Sequence, residues 1–332
     1  MIHLRKYHSL ASVMQAWENL WGNNPNATVY QSPAYARMIA KHILPYKIIL
    51  RQNPEFFLFL EDDAPIMILP LFHDWFGHDY TLFGYKTGCG YLDAIYAEDM
   101  TLEKMGECFS VFSDAHPNAK ISCCHIRQES LLGQYLSQSA KDRQFTPCVV
   151  ISLPNDFEEY SASLSKNTRQ NLRTAYNRLQ KDEKTFELQV VDHHAMSRNL
   201  RHKLLKIYAD RQVKHYRKAG GYLYRLFIRY IDVGTILHKE FPEVKSFVLR
   251  IDGQIAGYFD ALYKDCEVVI PRLAIDDTFS RYSPGVLLLN ESIRYFYDST
   301  AIRTIDLTHG NEQYKVAMGG TIQQCLKGTL LV

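Results

Sequence analysis

Residues 266–307 read CEVVIPRLAIDDTFSRYSPGVLLLNESIRYFYDSTAIRTIDL, and this stretch decides the fold of the second half of the chain. Cys266–Ile275 is apolar and rich in β-branched residues, which predicts a strand. The turn Tyr282–Gly285 follows, and apolar side chains recur on one side of Val286–Tyr297, which predicts a helix. Arg303–Leu307 reads as a second strand. A helix that crosses over between two strands of one sheet requires the strands to run parallel, so we predict a parallel, splayed pair.

A hairpin precedes this unit. Lys245–Ile251 and Gln254–Tyr263 alternate as strands, and the Asp252-Gly253 turn between them is a strong hairpin signal. The second half therefore has the order hairpin, strand, turn, helix, strand.

The chain has 332 residues, which suits two domains. The segment Pro147–Pro154 places an apolar strand between two prolines and separates the halves. The first half also alternates helix and strand signals, as a mixed α/β domain does. We predict one α/β domain over residues 1–150 and a second over residues 151–332.

The turn at Tyr282–Gly285 has the chemistry of a phosphate site. A helix N-terminus directs backbone N–H groups and the positive end of its dipole at an anion. Pro284 suits the first helical turn, and Gly285 removes a side chain where a ligand must approach. The same residues also fit an ordinary helix start. The residues predicted to bind the phosphate-bearing cofactor are Tyr282, Ser283, Pro284, Gly285, Val286 and Leu287.

Several ordered motifs resemble the CelD/BcsL-type branch of the GNAT acetyltransferases. They are Tyr282-Ser283-Pro284-Gly285 with Leu287–Leu289, Ile305-Asp306-Leu307, Gly310–Lys315 with Gly319, and the upstream element Ser165–Arg173. His309 and Asn311 depart from that family's pattern, which often has Arg and Asp there. The resemblance covers residues 154–319, and such proteins are similar to the Fem-type peptidyltransferases.

The resemblance implies a fold and a donor. It implies an α/β fold of two tandem GNAT-like domains, with mixed sheets flanked by helices. It also implies acetyl-CoA or another acyl-CoA as the donor substrate, with its pyrophosphate at the helix start. The acceptor would be an amine or hydroxyl of a sugar, amino sugar or small amine, in exopolysaccharide or envelope metabolism.

Three residues are candidates for the base of acyl transfer. Asp306 lies at a predicted strand end, and His309 and Glu312 follow in the adjacent loop. An imidazole titrates near neutrality, and a carboxylate can accept the proton of an amine. Tyr314 and Lys315 are predicted acceptor contacts. The alternative for Asp306 is a structural ion pair with Lys315.

A basic region follows the domain boundary. Residues 155–230 contain 16 Lys and Arg against 8 Asp and Glu. Lys166, Arg169 and Arg173 share one helical face, which could contact an anionic acceptor or the phosphates of CoA. A solvated basic face is the alternative. The helices expected in this region are Phe157–Leu179, Ala195–Lys218 and Tyr222–Leu237.

The remaining patterns exclude several classes of protein. The seven cysteines form no CxxC pair, and His193, His194 and His202 lack further ligands at recognisable spacing, so we expect no metal. We expect no signal peptide and no membrane span, and hence a cytoplasmic protein.

Three functions remain open. The first is a CoA-dependent acyltransferase. The second is a Fem-like transferase that takes an aminoacyl group from charged tRNA, which the basic region favours. The third is a catalytically silent GNAT-like binding module. The sequence leaves the acyl group, the acceptor and the oligomeric state open.

Overall fold

The computed structural model describes residues 1–24, 26–42, 52–75, 77–85, 89–216 and 244–332. The helix predicted at Tyr222–Leu237, and the end of the one predicted to Lys218, lie outside these residues. The chain divides into two compact units, Met1–Pro147 with Gln324–Val332, and Cys148–Gln323. The last nine residues therefore belong to the first unit, whereas the sequence boundary placed them in the second.

The strands alternate along the chain with helices. The strands are β1 Ile2–Tyr7, β2 Gln52–Glu61, β3 Ala64–Asp74, β4 Asp79–Leu82, β5 Ile95–Tyr96, β6 Lys120–Arg127, β7 Lys141–Ser152, β8 Phe186–Asp192, β9 Val244–Ile251, β10 Gln254–Lys264, β11 Glu267–Ile275, β12 Thr304–His309 and β13 Thr321–Leu331. The helices are α1 Met14–Gly22, α2 Pro33–His42, α3 Leu102–Ala115, α4 Leu131–Ser139, α5 Phe157–Ser163, α6 Lys166–Lys181, α7 Arg198–Tyr216, α8 Pro284–Ser299 and α9 Gln313–Ala317. The described strands and helices make an α/β protein.

The first unit contains a mixed sheet in the order β1-β2-β3-β4-β6-β13, with β5 paired to β3. β4 and β6 run parallel, and the other neighbours are antiparallel. Cys325 and Leu326 are buried in β13, whose residues 325–331 pair with β6. The end of the chain thus completes this sheet, which explains why it belongs to the first unit.

The second unit repeats that pattern with the order β8-β9-β10-β11-β12, followed by the end of β7. The hairpin β9–β10 is antiparallel, as the Asp252-Gly253 turn predicted. β11 and β12 are parallel, with α8 as the connection between them, which confirms the predicted crossover. β12 pairs antiparallel with residues 148–152 of β7.

Helices cover both faces of the second sheet. Phe247 packs with Leu172 of α6 and Phe296 of α8 in one buried cluster. The next residue along β9, Val248, packs with Leu204 of α7 in a separate cluster. Successive strand residues point to opposite faces, so these two clusters lie on opposite sides of the sheet.

The parallel pair β11–β12 is short. Its register joins Glu267, Val268 and Val269 to Thr304, Ile305 and Asp306, and the pairing ends there. Pro271 follows in β11 and has no N–H to donate to a neighbouring strand. The described pairing therefore ends before Pro271, and the predicted splay of the two strands would make room for a site beyond it.

Candidate active site

A cavity of about 340 Å³ lies beyond the end of the β11–β12 pairing in the second unit. Its lining residues come from α7, both strand ends and the loop that follows β12. They are Tyr208, Arg211, Gln212, Ile270, Pro271, Arg272, Leu273, Leu307, Thr308, His309, Glu312, Tyr314 and Lys315. The position at the open end of a strand pair follows directly from the short register.

Thr308, which lines the cavity, has a left-handed backbone conformation. This residue has φ of +56°, a region that β-branched residues rarely adopt. The Oδ1 atom of Asp306 accepts a hydrogen bond from the Thr308 N–H at 2.7 Å, and the Thr308 hydroxyl donates to the Ile270 carbonyl at 3.5 Å. These two bonds hold the strained residue and join β12 to β11 beyond the end of their ladder.

Asp306 is fully buried. It is not one of the described residues that line the cavity. Of the three base candidates, His309 and Glu312 therefore line the cavity, and Asp306 does not. Local periodicity could not show this difference, because a residue at a strand end can face either way.

The loop after β12 is tied by Lys315, whose side chain is only 6% exposed. Its Nζ donates to the carbonyls of His309 at 2.7 Å and Gly310 at 3.2 Å, and lies 2.9 Å from Glu312 Oε2. Gly310 has φ of +92°, and a Cβ there would lie 2.6 Å from the Glu312 carboxylate. The Glu312 side chain could move aside, but the left-handed φ makes glycine the favoured residue at this position.

The electrostatics of this loop keep Glu312 charged. Burial would raise its pKa, but the hydrogen bond from Lys315 and the charges of Lys315 and Arg211 outweigh burial, so the pKa lies below its ordinary value. Burial, together with the nearby Glu312 charge, raises the pKa of Tyr314 to about 12. At neutral pH Glu312 is an anion and Tyr314 a neutral phenol.

Two arginines line the cavity opposite this loop. Arg211 donates from Nη1 to the carbonyl of Leu273. Arg272 stacks on Tyr208, with its guanidinium carbon 4.4 Å from the ring centroid. Its Nε lies 3.7 Å from the buried carboxylate of Asp260. Neither arginine was predicted: Arg211 lies within the basic region of residues 155–230, and Arg272 lies outside it.

In the part of the chain that the structure describes, the start of α8 has no side-chain cap. Ser283 is left-handed, with φ of +52°, and its side chain makes no cap hydrogen bond. Its carbonyl accepts from the N–H groups of Val286 at 3.1 Å and Leu287 at 3.2 Å. Pro284 has no N–H. Among the described residues, Gly285 therefore supplies the first-turn N–H that remains for a ligand, because Val286 and Leu287, which were also predicted to bind the ligand, donate theirs to Ser283.

Gly285 lies beside Leu273, a residue of the cavity lining, although the lining residues that the structure describes include none of residues 282–287. A Cβ added to Gly285 would lie 3.6 Å from both Leu273 and Ile275, which is ordinary contact, so the fold itself leaves room for a small side chain. Leu273 also lines the cavity. Leu273, near the end of β11, therefore lies next to both the start of α8 and the cavity.

Tyr282 contributes structure at this point. Its hydroxyl donates to Asp182 at 2.9 Å, and Arg281 lies 3.0 Å from the same carboxylate. These contacts fix the turn before α8 to the end of α6. The side chain of Tyr282 is nearly buried, and Leu287 is fully buried.

The corresponding helix of the first unit is different. α3 connects the parallel strands β4 and β6, as α8 connects β11 and β12. The Thr101 hydroxyl caps α3 by accepting from the N–H of Lys104 at 3.2 Å. A side chain of the protein thus occupies this helix start, whereas the start of α8 lacks such a cap.

The predicted basic contacts lie elsewhere. Lys166, Arg169 and Arg173 are exposed on α6. None of the three is among the described residues that line the cavity. Arg169 donates to the carbonyl of Ala162 at 2.6 Å. The cations at the cavity are instead Arg211, Arg272 and Lys315.

The described residues contain no cluster of three or more His, Cys, Asp or Glu that could hold a metal ion. Within the same residues, no helix is long and apolar enough to cross a membrane.

Residues 166–316 match the model of a family described as an acetyltransferase (GNAT) domain. No curated protein sequence matches the chain. The family model describes the GNAT domain in general and does not single out the CelD/BcsL branch.

Solved structures resemble the chain over nearly its whole length. FemX has 10% identity and a TM-score of 0.58, covering 99% of this chain and 97% of that one. A tandem GNAT protein from the clavulanic acid biosynthesis pathway has 8% identity and a TM-score of 0.54, covering 100% and 98%. A conserved protein of unknown function from Bacteroides thetaiotaomicron VPI-5482 has 9% identity and a TM-score of 0.57, covering 99% and 100%.

At such identities the likeness is one of fold. The chain has the predicted α/β fold, with mixed sheets flanked by helices, and its structural neighbours include a tandem GNAT protein.

Proposed function

We propose that this protein is an acyltransferase that moves an acyl group, acetyl in the first instance, from CoA to an amine or hydroxyl. The observation that carries the proposal is the position of Leu273, near the end of β11. This residue lies next to Gly285 at the start of α8 and also lines the cavity. A donor with phosphates at one end and a reactive thioester at the other fits such an arrangement. The uncapped helix start suits the phosphates, and the cavity suits the thioester.

The donor would follow β11. Its pyrophosphate would accept the Gly285 N–H, and its thioester would reach the end of the β11–β12 ladder. Backbone N–H groups of β11 near this point would stabilise the oxyanion of the tetrahedral intermediate. Pro271 cannot serve, which leaves the N–H groups on either side of it.

His309 is our choice for the base. It lines the cavity, and the Lys315 hydrogen bond to its carbonyl fixes its backbone. The acceptor nitrogen or oxygen would attack the thioester carbonyl while the imidazole takes its proton. Collapse of the tetrahedral intermediate would then break the carbon–sulfur bond and release CoA, whose thiolate takes up a proton. The depressed pKa of Glu312 makes it a weaker base.

Asp306 and Lys315 would act through the backbone. Asp306 holds Thr308, and Lys315 holds His309 and Gly310. Glu312 neutralises Lys315. Tyr314 would contact the acceptor through its neutral phenol.

The resemblance to CelD/BcsL-type proteins supports a sugar, an amino sugar or a small amine as acceptor, in exopolysaccharide or envelope metabolism. A cytoplasmic location would suit a CoA-dependent reaction. The seven free thiols, six of them buried, agree with a reducing compartment.

The second candidate is a Fem-like transfer from aminoacyl-tRNA. The exposed cations of α6 favour it, because Lys166, Arg169 and Arg173 could contact a phosphate backbone. The likeness to FemX makes the fold compatible with this reaction.

Two binding measurements on the full chain separate these candidates. Calorimetric titration with acetyl-CoA should give a Kd in the micromolar range, while filter binding should detect no specific retention of tRNA. Retention of tRNA without acetyl-CoA binding would reverse the choice. Binding of neither would leave the silent binding module.

A further inference from the structure

The charge of the cavity points to a feature of the acceptor. Three cations line it, Arg211, Arg272 and Lys315, against one carboxylate, Glu312. Lys315 and Glu312 neutralise each other at 2.9 Å. Arg272 is paired in turn with the buried Asp260, so three cations and two carboxylates leave a net charge of +1, and neither arginine is needed for the acyl-transfer steps proposed above.

Arg272 is held in a fixed orientation. Asp260 is fully buried and accepts from the Ser246 hydroxyl at 2.7 Å, which fixes the carboxylate. That carboxylate engages the Nε edge of Arg272, and Tyr208 stacks on its guanidinium plane. A guanidinium oriented in this way, on the wall of a cavity, is suited to a charge-assisted hydrogen bond to an acid.

Arg211 lies near the same wall. Its bond to the Leu273 carbonyl places it at the strand end that carries Arg272. Arg211 and Glu312 both line the cavity, and the charge of Arg211 contributes to lowering the pKa of Glu312. The cations thus border the space in which the thioester and the acceptor would meet.

We infer that the acceptor carries a carboxylate, which Arg272 and Arg211 bind while its amine or hydroxyl faces His309. The assignment of this space to the acceptor rests on the proposed function. A carboxylate is favoured over a phosphate because a monoanion balances the net charge of +1 that Arg211, Arg272 and Lys315 leave against Glu312 and Asp260, whereas a dianion exceeds it. The volume of about 340 Å³ suits a small acid.

The test uses two probes that differ only in charge. N-acetylglycine and N-acetylglycinamide have the same shape, and only the first has a carboxylate. Titrated into the full chain, the acid should bind at least tenfold more tightly than the amide. Equal binding of both, or no binding of the acid, would overturn the inference.

A matched pair of variants locates the acid. Arg211→Met should remove most of the difference between acid and amide. Lys214→Met removes a cation from the same helix, where Lys214 is 73% exposed and pairs with Asp277, and should leave the difference unchanged. Equal effects of both substitutions would overturn the assignment. Arg272→Met is less suitable, because it would leave the buried Asp260 without its cation.

Acetyl-CoA titrated into the same samples separates the two claims. Acid binding without acetyl-CoA binding would end the proposed function alone. Acetyl-CoA binding without a preference for the acid would end this inference alone.

Discussion

The carboxylate of Asp306 is bound to the backbone N–H of Thr308 two residues later, at 2.7 Å, in the interior of the second unit. Thr308 needs this support because its left-handed φ is unfavourable for a β-branched residue. We therefore assign Asp306 a structural role: its carboxylate holds the backbone of Thr308, which lines the cavity.

A pair of Asp306 variants tests that assignment. Asp306→Asn keeps an oxygen that can accept the Thr308 N–H, so turnover should fall less than tenfold. Asp306→Ala removes the acceptor and should lower the free energy of unfolding by about 1–3 kcal/mol. Urea denaturation and acetyl-transfer rates measure both effects. A loss of 10²-fold or more in the Asn variant, with unchanged stability, would make Asp306 the proton acceptor instead.

Lys315→Met should destabilise the protein by about 2–3 kcal/mol, because a nearly buried cation with three partners is lost and the His309 and Gly310 carbonyls lose their donor. Urea denaturation measures the change. Lys203→Met on the exposed surface of α7 is the control and should change stability by less than about 0.5 kcal/mol. Equal costs for both variants would show that Lys315 does not tie the loop.

The depressed pKa of Glu312 predicts a pH dependence. A carboxyl whose folded-state pKa lies below its ordinary value of 4.5 stabilises the fold above that value, and this contribution is lost as pH falls through the folded-state pKa. Melting temperatures of the parent and Glu312→Gln should therefore differ at pH 7 and converge near pH 3. The side chain is 57% exposed, so the difference should be small.

The control for that measurement is Glu187→Gln, an exposed position on β8. It should match the parent at both pH values. A difference between the parent and Glu312→Gln that widens toward acid would contradict the depressed pKa.

His309→Gln should lower the rate of CoA release with an amine acceptor by roughly 10²–10⁴, because it removes a general base while keeping a polar side chain. Its Kd for acetyl-CoA should stay near that of the parent. His202→Gln, on the exposed side of α7, should change neither quantity. A His309→Gln rate within threefold of the parent would leave Glu312 as the remaining base at the cavity.

Much of the second unit was predictable because its signals are local. The Asp252-Gly253 turn indicated the hairpin, and the helix begins at Pro284 as expected. The parallel pair followed from the crossover. By contrast, the assignment of residues 324–332 to the first unit depends on long-range pairing with β6, which no local pattern encodes.

The site was predictable in part, for the same reason. His309 and Glu312 follow a strand end, where open sheets commonly place ligands, and they reach the cavity. Arg211 and Arg272 come from a helix and a strand far apart in sequence, and only the tertiary fold brings them together. Lys166, Arg169 and Arg173 share a helical face as predicted, but periodicity alone could not distinguish an exposed face from one that faces a ligand.

The central claim is that an acyl-CoA binds at the start of α8, and calorimetric titration of acetyl-CoA into two Gly285 variants tests it most directly. Gly285→Ala should bind like the parent, because its Cβ would make only ordinary contacts with Leu273 and Ile275. Gly285→Glu places a negative charge against the diphosphate and should weaken binding at least hundredfold, with an unchanged melting temperature. Equal affinity of the Glu variant and the parent would contradict the claim.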